Sequence, residues 1–115
     1  MSTIKELESR LFKLYETPDA DLEIETTSME VIAAILRQEI PTATHMLLDW
    51  SCSGPHHEVA DITAADGTSL MDEVDGSNDA ENAMVYATNL RGAIADCFEP
   101  INPRGGVYRV ELARF

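Results

Sequence analysis

The spacing of apolar side chains changes period at Pro41, and that change limits the fold more than any other feature of the chain. Before it, apolar residues recur every three or four positions: Ile4, Leu7, Leu11 and Leu14, then Met29, Ile32, Ala33, Ile35 and Leu36. Such spacing puts side chains on one face of a helix. After it, Thr44, Met46, Leu48, Trp50 and Cys52 alternate with His45, Leu47, Asp49 and Ser51. A period of two builds a strand with one apolar face.

Local signals place the elements around that switch. Thr3 and Glu6 form a capping box ahead of a first helix over about 4–16, and Pro18 follows its end. Phe12 and Tyr15 widen its apolar face, which packs onto the chain's own core rather than into a two-heptad coiled coil. Residues 17–27 form an acidic connector in which Leu22, Ile24 and Thr26 alternate with acids, as in a short edge strand. A second capping box, Thr27 to Glu30, starts the second helix, and Pro41 closes it. The turn at Ser53-Gly54-Pro55 leads to a strand over 58–64 with Ala60 and Ile62 inward. Asp66-Gly67 is a hairpin turn that brings back a short third strand over 68–71. Residues 72–79 are a polar loop. A third helix, capped by Ser77 or Asn78, buries Ala80, Ala83, Ala87, Leu90, Ile94 and Cys97 or Phe98. A loop over 99–106 precedes a last strand over 107–115, where Tyr108, Val110 and Leu112 alternate with Arg109, Glu111 and Ala113.

The order is α-α-β-β-β-α-β. Hairpins imply an antiparallel sheet, and the helical stripes need a surface to cover. One domain spanning 1–115 follows, an α+β fold with a sheet of about four strands and three helices on one face. The opposite sheet face carries His45, Leu47, Asp49, Asp61, Thr63, Arg109 and Glu111, a mixed surface suited to solvent or to docking.

Charge narrows the function. The chain has 115 residues, with 21 acids against 8 bases and a formal net charge of −13. Residues 14–90 hold 16 of the acids and one base, Arg37, whereas the segments before and after are each net +1. Nucleic acids and anionic membranes are polyanions and repel such a surface, while a basic protein attracts it. The longest apolar run, Val31 to Leu36, is far short of a membrane span. No apolar signal region opens the chain, and two cysteines, Cys52 and Cys97, do not form a disulfide framework, so a cytosolic, reduced protein is expected.

Candidate chemistry is sparse. Asp49, Cys52, His56 and His57 surround the first turn and include weak candidate metal ligands, but Asp49 and Cys52 face opposite sides of a regular strand. Cys52 on the apolar face acts as a small hydrophobe rather than as a nucleophile paired with His56 or His57, or with His45. Asp72, Glu73, Asp75, Asp79 and Glu81 crowd the approach to the third helix. No calcium loop fits them, because five positions before Gly76 stands Met71 and five before Gly67 stands Ile62. Phosphate loops, nucleophile elbows and paired metal motifs are absent from the sequence. No metal or other cofactor is expected. The chain reads as a non-enzymatic interaction module that binds a protein with a basic surface through Asp72, Glu73, Asp75 and Asp79. The alternative is a nucleic-acid mimic that blocks a DNA- or RNA-binding protein. A third reading is a small metal protein or hydrolase built on the first hairpin.

Overall fold

The computed structural model describes residues 3–49, 58–102 and 106–115. Helix α1 (Ile4–Tyr15) begins where expected: the Thr3 hydroxyl accepts the Glu6 N–H at 3.1 Å. Leu7 and Leu11 are buried, but Phe12 and Tyr15 are exposed rather than added to the buried face. Helix α2 (Asp21–Glu39) starts six residues before the Thr27 cap and absorbs the expected edge strand. Its register explains why. Ile24, Val31 and Ile35 pack with Leu7 and Leu11 of α1, while Met29, Ile32 and Leu36 enter the main core. The hydroxyl-rich stretch is accommodated by back-bonding inside the helix, Thr26 Oγ1 to the Leu22 carbonyl at 2.9 Å and Ser28 Oγ to that of Ile24 at 2.6 Å.

Strands β1 (Ala43–Asp49), β2 (Glu58–Ala64), β3 (Glu99–Asn102) and β4 (Val107–Glu111) form one antiparallel sheet in the order β2-β1-β4-β3. The α+β class, the number of strands and the packing of the helices against one sheet face agree with the sequence reading, although one of the four strands is not the one expected. Two bulges alter which side chains face inward. Ala43 pairs with Ala64 but His45 with Thr63, so Thr44 is an extra residue and Ala43 takes the buried position. Leu47 pairs with Asp61 but Leu48 with Val59, so Ala60 is extra; it is exposed, and Val59 packs on the core instead. An inserted residue reverses the alternation beyond it.

The third strand expected over 68–71 is reduced to a single bridge, Thr63 to Ser69. The turn itself forms: Ala64 N–H reaches the Thr68 carbonyl at 3.0 Å, and Gly67 has a φ of 88°. Leu70 and Val74 are both buried, and that four-residue spacing turns the chain into helix α3 (Met71–Asp75) where a loop was expected. Helix α4 (Asn78–Val85) is capped by Ser77, one of the two caps expected, but stops after eight residues. A 3-10 turn at Tyr86–Asn89 follows, then Gly92 with a φ of 100° and a second 3-10 turn at Ala95–Cys97. The apolar stripe survives this break, since Ala80, Ala83, Ala87, Leu90, Ile94 and Phe98 are all buried; Cys97 is exposed. β3 lies in the segment read as a loop and supplies the fourth strand. β4 ends at Glu111, and a 3-10 turn over Leu112–Arg114 replaces the rest of the expected strand.

Candidate functional site

The acidic residues singled out from sequence sit on α3 and α4. Asp72 and Glu73 occupy the first turn of α3, Asp75 ends it, and Asp79 lies in the first turn of α4 with Glu81. All are exposed. Asp72, Glu73, Asp79 and Glu81, in first turns, complement the partial positive charge of a helix start. Ser77 links the two helices to α2: its hydroxyl accepts the Ala80 N–H at 3.2 Å and donates to Glu39 Oε1 at 2.9 Å.

Three of the bases, Arg37, Arg109 and Arg114, are engaged elsewhere. Arg37 donates to the carbonyls of Leu112 at 2.9 Å and Phe115 at 3.3 Å, and Arg114 to that of Cys97 at 3.1 Å. Arg109 forms a two-pronged pair with Glu99 across β3 and β4, at 2.8–3.0 Å. Among the described residues no ion pair reaches Asp72, Glu73, Asp75 or Asp79.

The outer sheet face is assembled as the strand pattern predicts. His45 lies beside Thr63 and Glu111, and Leu47 beside Asp61 and Arg109. Asp61 is held locally, accepting from Ser69 Oγ at 2.7 Å and the Ile62 N–H at 2.9 Å. The His45 ring nitrogen Nδ1 is 2.9 Å from Thr44 Oγ1. Cys52, His56 and His57 lie outside the described residues, as does Trp50. Among the described residues, no three His, Cys, Asp or Glu side chains converge as a metal site would require. No helix among them is long and apolar enough to cross a membrane.

Compared with protein-family models, curated proteins and solved structures, the chain has no match.

The most constructed polar region is one the sequence reading passed over. Glu25 is 4% exposed, although it belongs to the stretch read as an acidic connector. Its carboxylate accepts the Arg91 N–H at 3.0 Å and the Ala93 N–H at 3.0 and 3.1 Å. Gly92, in the left-handed region, lets the amides on either side of it converge on one anion. Beside this contact, the Asn89 amide donates to Tyr15 Oη at 2.7 Å and Ser28 Oγ at 2.9 Å. Together these groups tie α1, α2 and the 86–94 segment around a cavity of about 440 Å³, lined by Tyr15, Asp21, Glu25, Asn89, Arg91 and neighbouring carbon. One signal in the sequence pointed here: Glu25 is in helical register with Met29, Ile32 and Leu36, an acid on a buried stripe.

A second junction lies further along α1. Tyr86 donates its hydroxyl to Glu8. Burial first, and then the hydrogen bond and charge of Glu8, push the Tyr86 phenol above its ordinary value.

Proposed function

We propose that this chain is a non-enzymatic interaction module whose acidic surface engages a protein with a basic surface. The observation that carries the reading is the exposure of Asp72, Glu73, Asp75 and Asp79 on consecutive helices, with no pairing base among the described residues. Four acids within eight residues create a local negative field. Such fields raise the rate of encounter with an oppositely charged partner more than they slow its departure.

The test is kinetic. A partner recovered from the native host is titrated onto the intact chain at about 0.01 and about 0.15 M salt, where the screening length falls from about 30 to about 8 Å. Association should slow as salt rises, and replacing the four acids with Asn and Gln should slow it at low salt and flatten the dependence. Dissociation should change less. An unchanged low-salt association rate in the folded variant would reduce the patch to a solvated surface. Free DNA is added as competitor in the same assay: indifference supports a dedicated protein contact, and displacement moves the reading to a nucleic-acid mimic.

A further inference from the structure

We infer that Asp75-Gly76, between α3 and α4, is a site of spontaneous isomerisation to iso-aspartate in the folded chain, and that Asp66-Gly67 is protected from the same reaction. The sequence holds these two Asp-Gly pairs. In such a pair the glycine nitrogen attacks Cγ of the aspartate carboxyl, because glycine has no Cβ to crowd the approach. The N–Cγ bond forms, the carboxyl hydroxyl leaves with the amide proton as one water, and a cyclic imide remains. Water then adds to either imide carbonyl. Breaking the new N–Cγ bond restores aspartate. Breaking the older bond, from nitrogen to the backbone carbonyl carbon, routes the chain through Cβ and Cγ and leaves iso-aspartate. One water is lost and one regained, so no oxidant, reductant or further reactant is needed.

Both pairs are exposed, so access of water does not separate them. Restraint of the reacting groups does. Asp66 Oδ1 accepts the Thr68 N–H at 2.9 Å, and the Gly67 N–H donates to the Ala64 carbonyl at 2.9 Å. Carboxyl and nitrogen are thus both held, inside a hairpin closed by Ala64 N–H to the Thr68 carbonyl at 3.0 Å and Leu70 N–H to that of Ile62 at 2.7 Å. The Thr68 contacts also favour the ionised carboxylate of Asp66, the form that loses water least readily. At the other pair only the nitrogen is held. The Gly76 N–H donates to the Asp72 carbonyl at 3.2 Å, and among the described residues no donor reaches the Asp75 carboxyl. This contact closes the last turn of a five-residue helix. Helix ends open at low cost, whereas the hairpin opens only with its strand pairing. The product keeps its negative charge. It inserts one backbone atom between Val74, buried in the core, and Ser77, which bonds Glu39 and caps α4. Isomerisation therefore re-spaces the acidic patch without neutralising it.

The full chain is aged at physiological pH and temperature in water enriched in heavy oxygen, once folded and once in guanidinium chloride. Peptides containing each pair are then compared by mass and by chromatographic separation of the iso-aspartyl form. In the unfolded chain the pairs should react at similar rates, since Ala-Asp-Gly-Thr and Val-Asp-Gly-Ser are alike. In the folded chain, label and iso-aspartate should appear at residue 75 at least about fivefold faster than at 66. That ratio corresponds to about 1 kcal/mol, one additional hydrogen bond to break. Gly76→Ala should suppress the product at residue 75 without lowering the melting temperature. Gly76 has a φ of −85°, and an added Cβ would meet only the Asp72 and Glu73 carbonyl oxygens, at 3.6 Å. Equal rates at the two pairs in the folded chain, or a faster one at residue 66, would overturn the protection. Absence of label at residue 75 would overturn the site. The same bias toward residue 75 in the unfolded chain would trace the order to local sequence and overturn the structural argument.

Discussion

Glu25 shows how one side chain can decide the course of a loop. A buried acid must have its oxygens satisfied, and here the donors are the backbone amides of Arg91 and Ala93. Removing the carboxylate leaves those amides without their acceptor, at about 1–3 kcal/mol for a buried group. Ala93 and Arg91 are themselves exposed, and water can replace part of what is lost. Glu25→Ala should therefore lower unfolding stability by about 1–2 kcal/mol, read from the denaturant midpoint. Glu25→Gln should cost less, since one amide oxygen still accepts. A loss as small as that of an exposed helical glutamate would refute the tether. Tyr86 supplies the matching test at high pH. Its phenol is raised above the value near 10 that an unfolded tyrosine has. Folding thus favours the neutral form: the contribution is fully present below about pH 10 and is lost as pH rises toward the folded value. The phenolate absorbance of the native chain should include a late component that Tyr86→Phe removes. Both contacts escaped the sequence reading for the same physical reason. Each joins residues more than 60 positions apart, and a side chain's polarity does not announce a partner at that distance.

At the scale of elements, legibility followed the range of the forces involved. The Thr3 and Ser77 caps are local, three-residue interactions, and both helix starts were read correctly. The start of α2 was misplaced because Thr27 resembles a cap in isolation. Its burial, and the packing of Ile24 against α1, are tertiary effects. The bulges at Thr44 and Ala60 leave no composition cue, so strand alternation was carried one residue too far. The Asp66-Gly67 turn was legible because its chemistry is its own. Asp66 Oδ1 accepts the Thr68 N–H at 2.9 Å, and that contact, with the Thr68 hydroxyl, holds the Asp66 carboxyl below its usual value. This support of the turn is present above the unfolded carboxylate value near 4 and fades as pH falls through the lower folded one. Gly67 carries the conformational requirement. With a φ of 88° and open space around the position where a Cβ would stand, Gly67→Ala meets strain without a clash. It should cost about 1–2 kcal/mol, and Gly67→Asn less, because asparagine tolerates the left-handed region. Thermal melts of the two variants decide it: equal losses would mean that the turn does not hold this backbone conformation in solution.

The whole molecule is governed by its excess of negative charge. A net of −13 on a 12.7 kDa chain makes the folded state repel itself. In water, two charges 10 Å apart repel by about 0.4 kcal/mol, so an acid with two or three such neighbours is disfavoured by about 1 kcal/mol. The same acids gain about 0.3–1 kcal/mol each where they sit in a helix's first turn at low salt, as Asp72, Glu73 and Asp79 do. The opposing effects are of similar size at these positions, so low-salt stability alone cannot separate them; the response to salt can. Raising sodium chloride from about 0.01 to about 0.15 M shortens the screening length from about 30 to about 8 Å. That suppresses repulsion summed over the whole surface more than it suppresses contacts within one helical turn. The melting temperature should therefore rise over this interval. Replacing Asp72, Glu73, Asp75 and Asp79 with Asn and Gln brings the net charge from −13 to −9. The variant should melt near the parent at low salt and rise less as salt is added. A parent curve flat in salt would mean that repulsion is already relieved by the spread of charge over the surface. A variant slope equal to the parent's would mean that these four acids lie too far from the others to share their field, and the local field invoked for partner encounter would lose its physical basis.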